Sequence, residues 1–200
     1  MKDKKNGYIY YDSHKKTEKE ILRNVAWTSL FHWVYAMVAI FIIVFIVVGF
    51  FFRVFSVDGE SMKPTFNDND LLLVSIYDTE SVQSGDIVVA DLSDNEEIII
   101  VKRVVATENQ TVEIDYKTQT LTVDGVVVEE DYISEMSYAP LNEISYPYTV
   151  PEGHVFLMGD NRIDSRDSRN KNVKAVPVEK IRGKVAARLY PFSDAVFFGW

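Results

Sequence analysis

A serine in a tight turn could supply the nucleophile of a peptide hydrolase. Ser61 stands in the segment VDGESMKPT at residues 57–65, where Pro64 restrains the chain after the serine. Gly59 is expected to allow a tight approach of the backbone. Alone, this turn is a weak indication, because Ser and Pro are common in loops.

The partner of such a serine would be a base, and Lys102 is the candidate. It lies in the apolar segment IIIVKRVV at residues 98–105. Alternation along a strand places Lys102 on the same face as Ile100 and Val104. Burial disfavours a charged amine, and a neutral amine can accept a proton from a serine hydroxyl. Two other interpretations are open: an edge-strand lysine that opposes aggregation, or a lysine stem lying on apolar surface.

Composition excludes other hydrolase chemistries. The chain has no cysteine and three histidines, and it has no HExxH or paired-histidine spacing for zinc. His14 and His32 precede or enter the apolar stretch described below, and His154 opens an apolar strand after a turn, a position typical of a structural histidine. A serine hydrolase built on this chain would therefore need a base other than histidine, and no metal and no cofactor are expected.

Charge argues against nucleic acid as a partner. The net charge is −9, and the chain is asymmetric. Residues 1–29 carry seven Lys/Arg and four Asp/Glu, whereas the remainder carries fourteen and twenty-six, a balance of −12. The acidic part should repel phosphates.

One segment predicts a membrane anchor. Residues 34–52 form nineteen uncharged positions, enough to nearly cross a hydrocarbon core of about 30 Å at about 1.5 Å per helical residue. The segment is too long for the apolar region of a cleaved signal peptide. We predict a basic tail at 1–29, a signal anchor at 30–52 and an exported domain at 53–200. A buried core helix is the alternative.

Flanking charges predict the orientation of this anchor. Four cations lie just before it and one lies just after it: Lys15, Lys16, Lys19 and Arg23, then Arg53. The positive-inside bias places the N-terminus in the cytoplasm and the domain after residue 52 outside.

The exported part reads as one mainly β domain. Strands are predicted at 71–75, 86–92, 98–105, 111–115 and 154–158. Asp124 and Gly125 predict a two-residue hairpin turn within 121–128. Residues 183–190 are predicted as a closing strand, although their composition also permits a helix.

Four motifs carry a resemblance to a known family. They are SMKPT at 61–65, GDIV at 85–88, KRV at 102–104 and GDNRIDSRDSR at 159–169. In this order they resemble the motifs of bacterial type I signal peptidases, the membrane-bound Ser-Lys endopeptidases that remove signal peptides from exported preproteins. The resemblance covers about residues 53–190, and the single anchor is similar to the Gram-positive arrangement. It implies a β-rich catalytic domain with a LexA-like core.

The resemblance also implies roles for individual residues. Ser61 would be the nucleophile, with its backbone N–H in the oxyanion hole, and Lys102 would be the general base. Ser165 would hydrogen-bond and orient the lysine amine, and Met62 would shape the binding cleft. Ion pairs supporting this site would involve Asp160, Asp167, Arg169 and Arg103.

Two departures from the family pattern are present. Some members carry a hydroxyl two residues before the nucleophile, where this chain has Gly59, so the second oxyanion donor is not identified. Residues 106–110 lack the Gly-Pro-Gly-Asp turn common after the base strand. Neither departure removes a catalytic group.

The implied function is cleavage of preproteins after small residues at −1 and −3. The implied partners are preprotein signal peptides and the lipid bilayer, at the cell membrane; the oligomeric state is left open. Two alternatives are a self-cleaving Ser-Lys regulator of the LexA type and a non-enzymatic, membrane-tethered β module. The first needs a DNA-binding segment before the β core, and the second predicts loss of Ser61 or Lys102, yet both are present.

Overall fold

The computed structural model describes residues 18–77, 79–92, 98–133 and 142–198. Residues 1–17 of the predicted basic tail, with Lys15 and Lys16, lie outside the described residues. The chain divides into two compact units, one ending at Val48 and one beginning at Gly49.

The apolar segment is one long helix. Helix α1 spans Glu18–Phe51, and within it Leu22–Phe51 is long and apolar enough to cross a membrane. It contains no proline, and its one glycine, Gly49, lies near its end. The helix begins earlier than the predicted anchor, so residues 18–29 of the tail are helical. Phe52, predicted in the anchor, instead begins a strand because it pairs with Ser75.

Twelve strands are described after the helix. In chain order they are β1 Phe52–Ser56, β2 Leu71–Ser75, β3 Ile87–Asp91, β4 Ile99–Ala106, β5 Thr111–Asp115, β6 Thr120–Val123, β7 Val126–Val127, β8 Tyr148–Thr149, β9 His154–Met158, β10 Val176–Pro177, β11 Ile181–Tyr190 and β12 Val196–Phe197. Two single-turn 3₁₀ helices, Val178–Lys180 and Phe192–Asp194, flank β11. The predicted fold class, mainly β with one N-terminal helix, is confirmed.

The strands form two antiparallel sheets. The larger sheet has the order β1-β2-β11-β3-β4-β9-β10, with β12 also paired to β11. The smaller sheet has the order β7-β6-β5-β8. Residues 183–190 belong to β11, which pairs with both β2 and β3, so the strand prediction was right there and the helix alternative was wrong.

The predicted hairpin is also confirmed. Asp124 and Gly125 have φ angles of 52° and 77°, and they connect β6 to β7. Positive φ at both central residues matches the twist of the flanking strands, which favours Asp-Gly at this turn.

An apolar core fixes the segment that carries Ser61, residues 57–65 and called the serine turn below, to the larger sheet. Met62, within the turn, and Phe66, directly after it, are 1% and 0% exposed. They pack in one buried cluster with Leu72 and Val74 of β2 and with Val89 of β3. Burial of two large side chains from one short turn, each stabilising by about 2 kcal/mol, holds the backbone of this turn against the sheet.

Candidate active site

The two candidate catalytic side chains meet. Lys102 Nζ lies 2.5 Å from Ser61 Oγ, and it also donates to the carbonyl oxygen of Val101 at 3.1 Å. Lys102 pairs with Val88 of β3, is only 3% exposed, and belongs to a strand flanked by β3 and β9. The interpretation as an exposed edge-strand lysine is therefore wrong.

Burial changes the acidity of this lysine. Desolvation lowers the pKa of Lys102 from 10.5 to about 8. The carboxylates of Asp167 and Asp160 oppose this shift, and the positive charge of Arg169 adds to it. The lowered pKa increases the neutral fraction of Lys102 near neutral pH, and the neutral form is the one that a general base requires.

Gly159 brings the last motif against the serine turn. The N–H of Asn161 donates to the Ser61 carbonyl at 3.0 Å, and Asn161 Nδ2 donates to the Glu60 carbonyl at 3.2 Å. A Cβ on Gly159 would lie 2.4 Å from the Ser61 carbonyl oxygen and 2.2 Å from Ser165 Oγ. Only glycine fits at this close approach.

The expectation of close approach at Gly59 was wrong. A Cβ at this position would meet no atom within 4 Å. Gly59 instead has a φ of +92°, which a side chain would strain, and its N–H donates to Asp68 Oδ1 at 2.9 Å. Glycine serves the bend of the backbone here.

Asp167 and Arg169, both expected to take part in ion pairs, form a buried ion pair with each other. Arg169 Nε and Nη2 donate to the two carboxylate oxygens at 2.8 and 3.0 Å, and the Gly159 N–H donates to Oδ2 at 3.0 Å. Burial alone would raise the pKa of Asp167, but the charge and hydrogen bonds of Arg169 and the Gly159 N–H hold it below its ordinary value. Asp167 is therefore ionised and fixes the motif backbone.

A second buried pair joins Asp160 to Arg103, the residue after Lys102. Arg103 Nε and Nη2 donate to the Asp160 carboxylate at 2.9 and 2.6 Å. Thr65 Oγ1, from the serine turn, donates to the same carboxylate. Asp160, which is 0% exposed, thereby ties the turn, the base strand and the last motif together.

Ser165 is close to the site but does not make the expected bond. Its Oγ is buried and has no hydrogen-bond partner among the described residues. Lys102 Nζ is directed instead to Ser61 Oγ and the Val101 carbonyl. The Ser165 hydroxyl lies near the Asp167 carboxylate without reaching hydrogen-bond geometry.

A cleft of about 340 Å³ opens beside the pair of side chains. Its lining comes from β1 and the serine turn on one side and from β4 on the other: Phe55, Ser56, Val57, Asp58, Ser61, Met62, Ile99, Ile100, Val101 and Lys102. Met62 is therefore both a core residue and a wall of the cleft. Within the described part of the chain, the Ser61 N–H donates to no acceptor, so it is available to a ligand.

His154 lines a different cleft, together with Glu80 and Glu108, and its Nδ1 lies 2.8 Å from the Glu152 carbonyl oxygen. Across the described ranges, no group of three or more His, Asp or Glu side chains is placed to hold a metal ion.

Sequence reasoning assigned no role to some residues that surround the site. Arg162 stands in the last motif and is 1% exposed, although an arginine in a charged loop is usually solvated. Its partner Glu130 and the adjacent Tyr132 belong to no motif. No signal in a single sequence identifies the latter two.

Comparison with known proteins identifies the family. A sequence model described as "Signal peptidase, peptidase S26" matches residues 30–190. The chain belongs to this signal peptidase family. Signal peptidase I of Bacillus licheniformis is 33% identical over 174 residues, which are 83% of this chain and 91% of the relative. Signal peptidase IB of Staphylococcus aureus (strain Mu50) is 32% identical over 182 residues, with 83% and 92% covered.

A solved structure was also matched. It is a signal peptidase I from Enterococcus faecalis V583, with 29% identity and a TM-score of 0.42, covering 52% of this chain and 96% of that chain.

Family membership confirms the predicted function and enzyme class: the chain is a type I signal peptidase, a serine endopeptidase. This decides against the self-cleaving regulator and the non-enzymatic module. Relatives of this family are membrane-anchored, and the apolar helix of this chain is consistent with a single-pass anchor.

Proposed function

We propose that this signal peptidase cleaves with Ser61 as nucleophile and Lys102 as general base. The observation that carries the proposal is the 2.5 Å distance between Lys102 Nζ and Ser61 Oγ, at a lysine that is 3% exposed. A buried amine of lowered pKa next to a hydroxyl is the arrangement that activates a serine without histidine.

The reaction proceeds in two halves. Neutral Lys102 accepts the Ser61 hydroxyl proton as Oγ attacks the scissile carbonyl carbon, and the Ser61 N–H donates to the resulting oxyanion. The lysine ammonium then protonates the leaving amine, so the peptide bond breaks and an acyl-enzyme ester remains. A water gives its proton to Lys102 and attacks the ester, which releases the signal peptide and returns the proton to Ser61.

The surrounding charges keep this pair in place. Asp167 with Arg169, and Asp160 with Arg103, hold the last motif and the base strand through buried ion pairs. Ser165 has its hydroxyl beside Gly159, and its proposed role is to orient the lysine amine. These side chains position the reacting atoms and do not themselves exchange protons.

The cleft fits an extended peptide. Among the described strands, β1 is an edge strand, and residues 99–101 of β4 pair only with β3, because β9 pairs from Arg103 onward. Both strands therefore offer unpaired backbone groups to a substrate strand. Side chains of such a strand alternate, so −1 and −3 face the enzyme and −2 faces away. Small residues are expected at −1 and −3.

This specificity is tested with one preprotein carrying Ala, Leu or Lys at −1. The kcat/KM for Ala is expected to be the highest, because a large side chain does not fit and a charged one loses its hydration without a partner. Comparable values for all three would contradict a small-residue pocket.

The lipid bilayer is the second proposed partner. One face of the larger sheet carries exposed apolar side chains: Val54 is 57% and Phe197 is 84% exposed, and they lie on one cross-strand row through Leu73 and Ala187. A patch of this kind fits contact with a membrane surface.

The proposed topology has the N-terminus in the cytoplasm and residues 53–200 outside. It rests on the cations that precede the helix. Protease added to protoplasts should digest the domain after residue 53 and spare an N-terminal fragment. Digestion of this domain only after membrane rupture would indicate the opposite orientation.

The base is tested by a conservative change. Lys102→Arg should abolish preprotein cleavage, because a guanidinium does not deprotonate in this pH range. Lys171→Arg, the same change at an exposed lysine, should leave it unchanged. Substantial activity in Lys102→Arg would exclude Lys102 as the base.

A further inference from the structure

A buried carboxylate outside the four motifs contacts the last motif from a third side. Both oxygens of Glu130 accept hydrogen bonds from Arg162, from Nη1 at 2.8 Å and from Nη2 at 2.5 Å. The side chains of Glu130 and Arg162 are 6% and 0% exposed. This ion pair is shielded from solvent, and each of its charges would be costly to bury alone.

Arg162 transmits this contact to the nucleophile turn. Its Nε donates to the Gly159 carbonyl at 2.9 Å. Two residues further along the chain, the N–H of Asn161 donates to the Ser61 carbonyl at 3.0 Å. The path from Glu130 to the backbone of Ser61 therefore passes through three hydrogen-bonded links, Glu130–Arg162, Arg162–Gly159 and Asn161–Ser61, and the short stretch of chain from Gly159 to Asn161.

The same carboxylate also reaches the base strand. Tyr132 donates its hydroxyl hydrogen bond to Glu130 Oε1 at 2.9 Å. The Arg103 guanidinium lies 3.8 Å from the centre of the Tyr132 ring, a cation–π distance. Arg103 follows Lys102 directly, so Glu130 is linked through Tyr132 to the strand that carries Lys102 and through Arg162 to the motif beside Ser61.

We propose that Glu130 is a positioning residue for the cleavage reaction, holding Ser61 through Arg162 and steadying the Lys102 strand through Tyr132. Glu130 follows the hairpin of the smaller sheet, so the segment after that hairpin supports the active site. The inference rests on the proposed roles of Ser61 and Lys102.

The first test replaces the charge without changing the shape. Glu130→Gln should lower kcat about 10- to 100-fold with KM nearly unchanged, because small displacements of reacting atoms affect the chemical step and leave the substrate cleft intact. Glu129→Gln, the same change at an adjacent exposed residue, should retain the wild-type kcat. A folded Glu130→Gln with wild-type kcat would overturn the inference.

The second test separates positioning from stability. The double variant Glu130→Leu/Arg162→Met removes both buried charges. Because neither charge is left buried without its partner, the melting temperature should lie close to that of the wild type. The kcat should stay low, because the Gly159 carbonyl has lost its donor. If kcat recovered together with the melting temperature, Glu130 would be only a counter-ion, and the inference would be wrong.

Ser61→Ala in the same assay distinguishes the two levels of the account. If Ser61→Ala cleaves the preprotein, the proposed dyad fails. If Ser61→Ala is inactive while Glu130→Gln cleaves at the wild-type rate, only the role of Glu130 fails.

Discussion

The buried lysine predicts how cleavage depends on pH. The pKa of Lys102 falls from 10.5 to about 8, a difference that corresponds to about 3 kcal/mol in favour of the neutral amine. At pH 7, a lysine with a pKa of about 8 is neutral in about one molecule in ten, against about one in 3,000 for an ordinary lysine. Desolvation therefore increases the reactive fraction about 300-fold.

The assay is kcat/KM for one preprotein between pH 6 and pH 10, at constant ionic strength. Because the free enzyme must have a neutral amine, kcat/KM should rise about tenfold per pH unit below pH 8 and level off above it. At pH 6 it should lie about 100-fold below the plateau. Circular dichroism at each pH controls for unfolding.

Two results would refute the reasoning. A rise centred near pH 5 would indicate a carboxylate base. A rise that continues to pH 10 without a plateau would mean that burial does not lower the pKa of Lys102, and the apolar surroundings would then have no catalytic purpose.

Three further predictions concern single substitutions. Asp167→Asn removes a charge that raises the pKa of Lys102, so the midpoint of the acid limb should move below pH 8 even as kcat falls; an unchanged or higher midpoint would contradict the charge effect. Gly159→Ala, which forces an overlap with backbone, should lose most activity and about 1–3 kcal/mol of stability, whereas Gly125→Ala, strained only by its φ of 77°, should lose stability and keep activity. Lys102→Met should raise the free energy of unfolding at pH 7 by up to about 3 kcal/mol. Lys171→Met is the control and should leave it unchanged. A destabilised Lys102→Met would show that desolvation of the Lys102 amine does not cost folding stability.

The sign of the Lys102→Met effect follows from proton linkage. The folded-state pKa lies below the unfolded one, so between about pH 8 and 10.5 the unfolded chain binds more protons. Wild-type stability should therefore rise with pH in this window, and the cost is fully present below pH 8. Thermal unfolding of both proteins at pH 7 and pH 9.5 measures the difference, which should shrink at the higher pH.

Local patterns predicted most of the strands. β2, β5 and β9 have the predicted bounds because β-branched and apolar residues there are bounded by turn residues. β1 was missed because Phe52 continues an apolar run and only its pairing with Ser75 makes it a strand. β8, β10 and β12 have two residues each, too few for any alternation to be visible.

The sequence predicted individual residues of the site but not the contacts between them. Alternation along β4 indicated apolar neighbours for Lys102. The order of the four motifs predicted that Ser61 and residues 159–169 belong to one site. Glu130 was missed because a glutamate after a hairpin ordinarily faces solvent. Its burial depends on Arg162, 32 residues away in the chain, and no local pattern encodes such a pairing.

The most direct test of the central claim is N-terminal sequencing of the product made by the purified enzyme from one preprotein. The wild type should yield a single new N-terminus, immediately after a small residue that follows the apolar segment of the signal peptide. Ser61→Ala should yield none, while Ser145→Ala, the same change at an exposed serine, should yield the wild-type product at the wild-type rate. The same product from folded Ser61→Ala would contradict the assignment of the nucleophile and, with it, the mechanism.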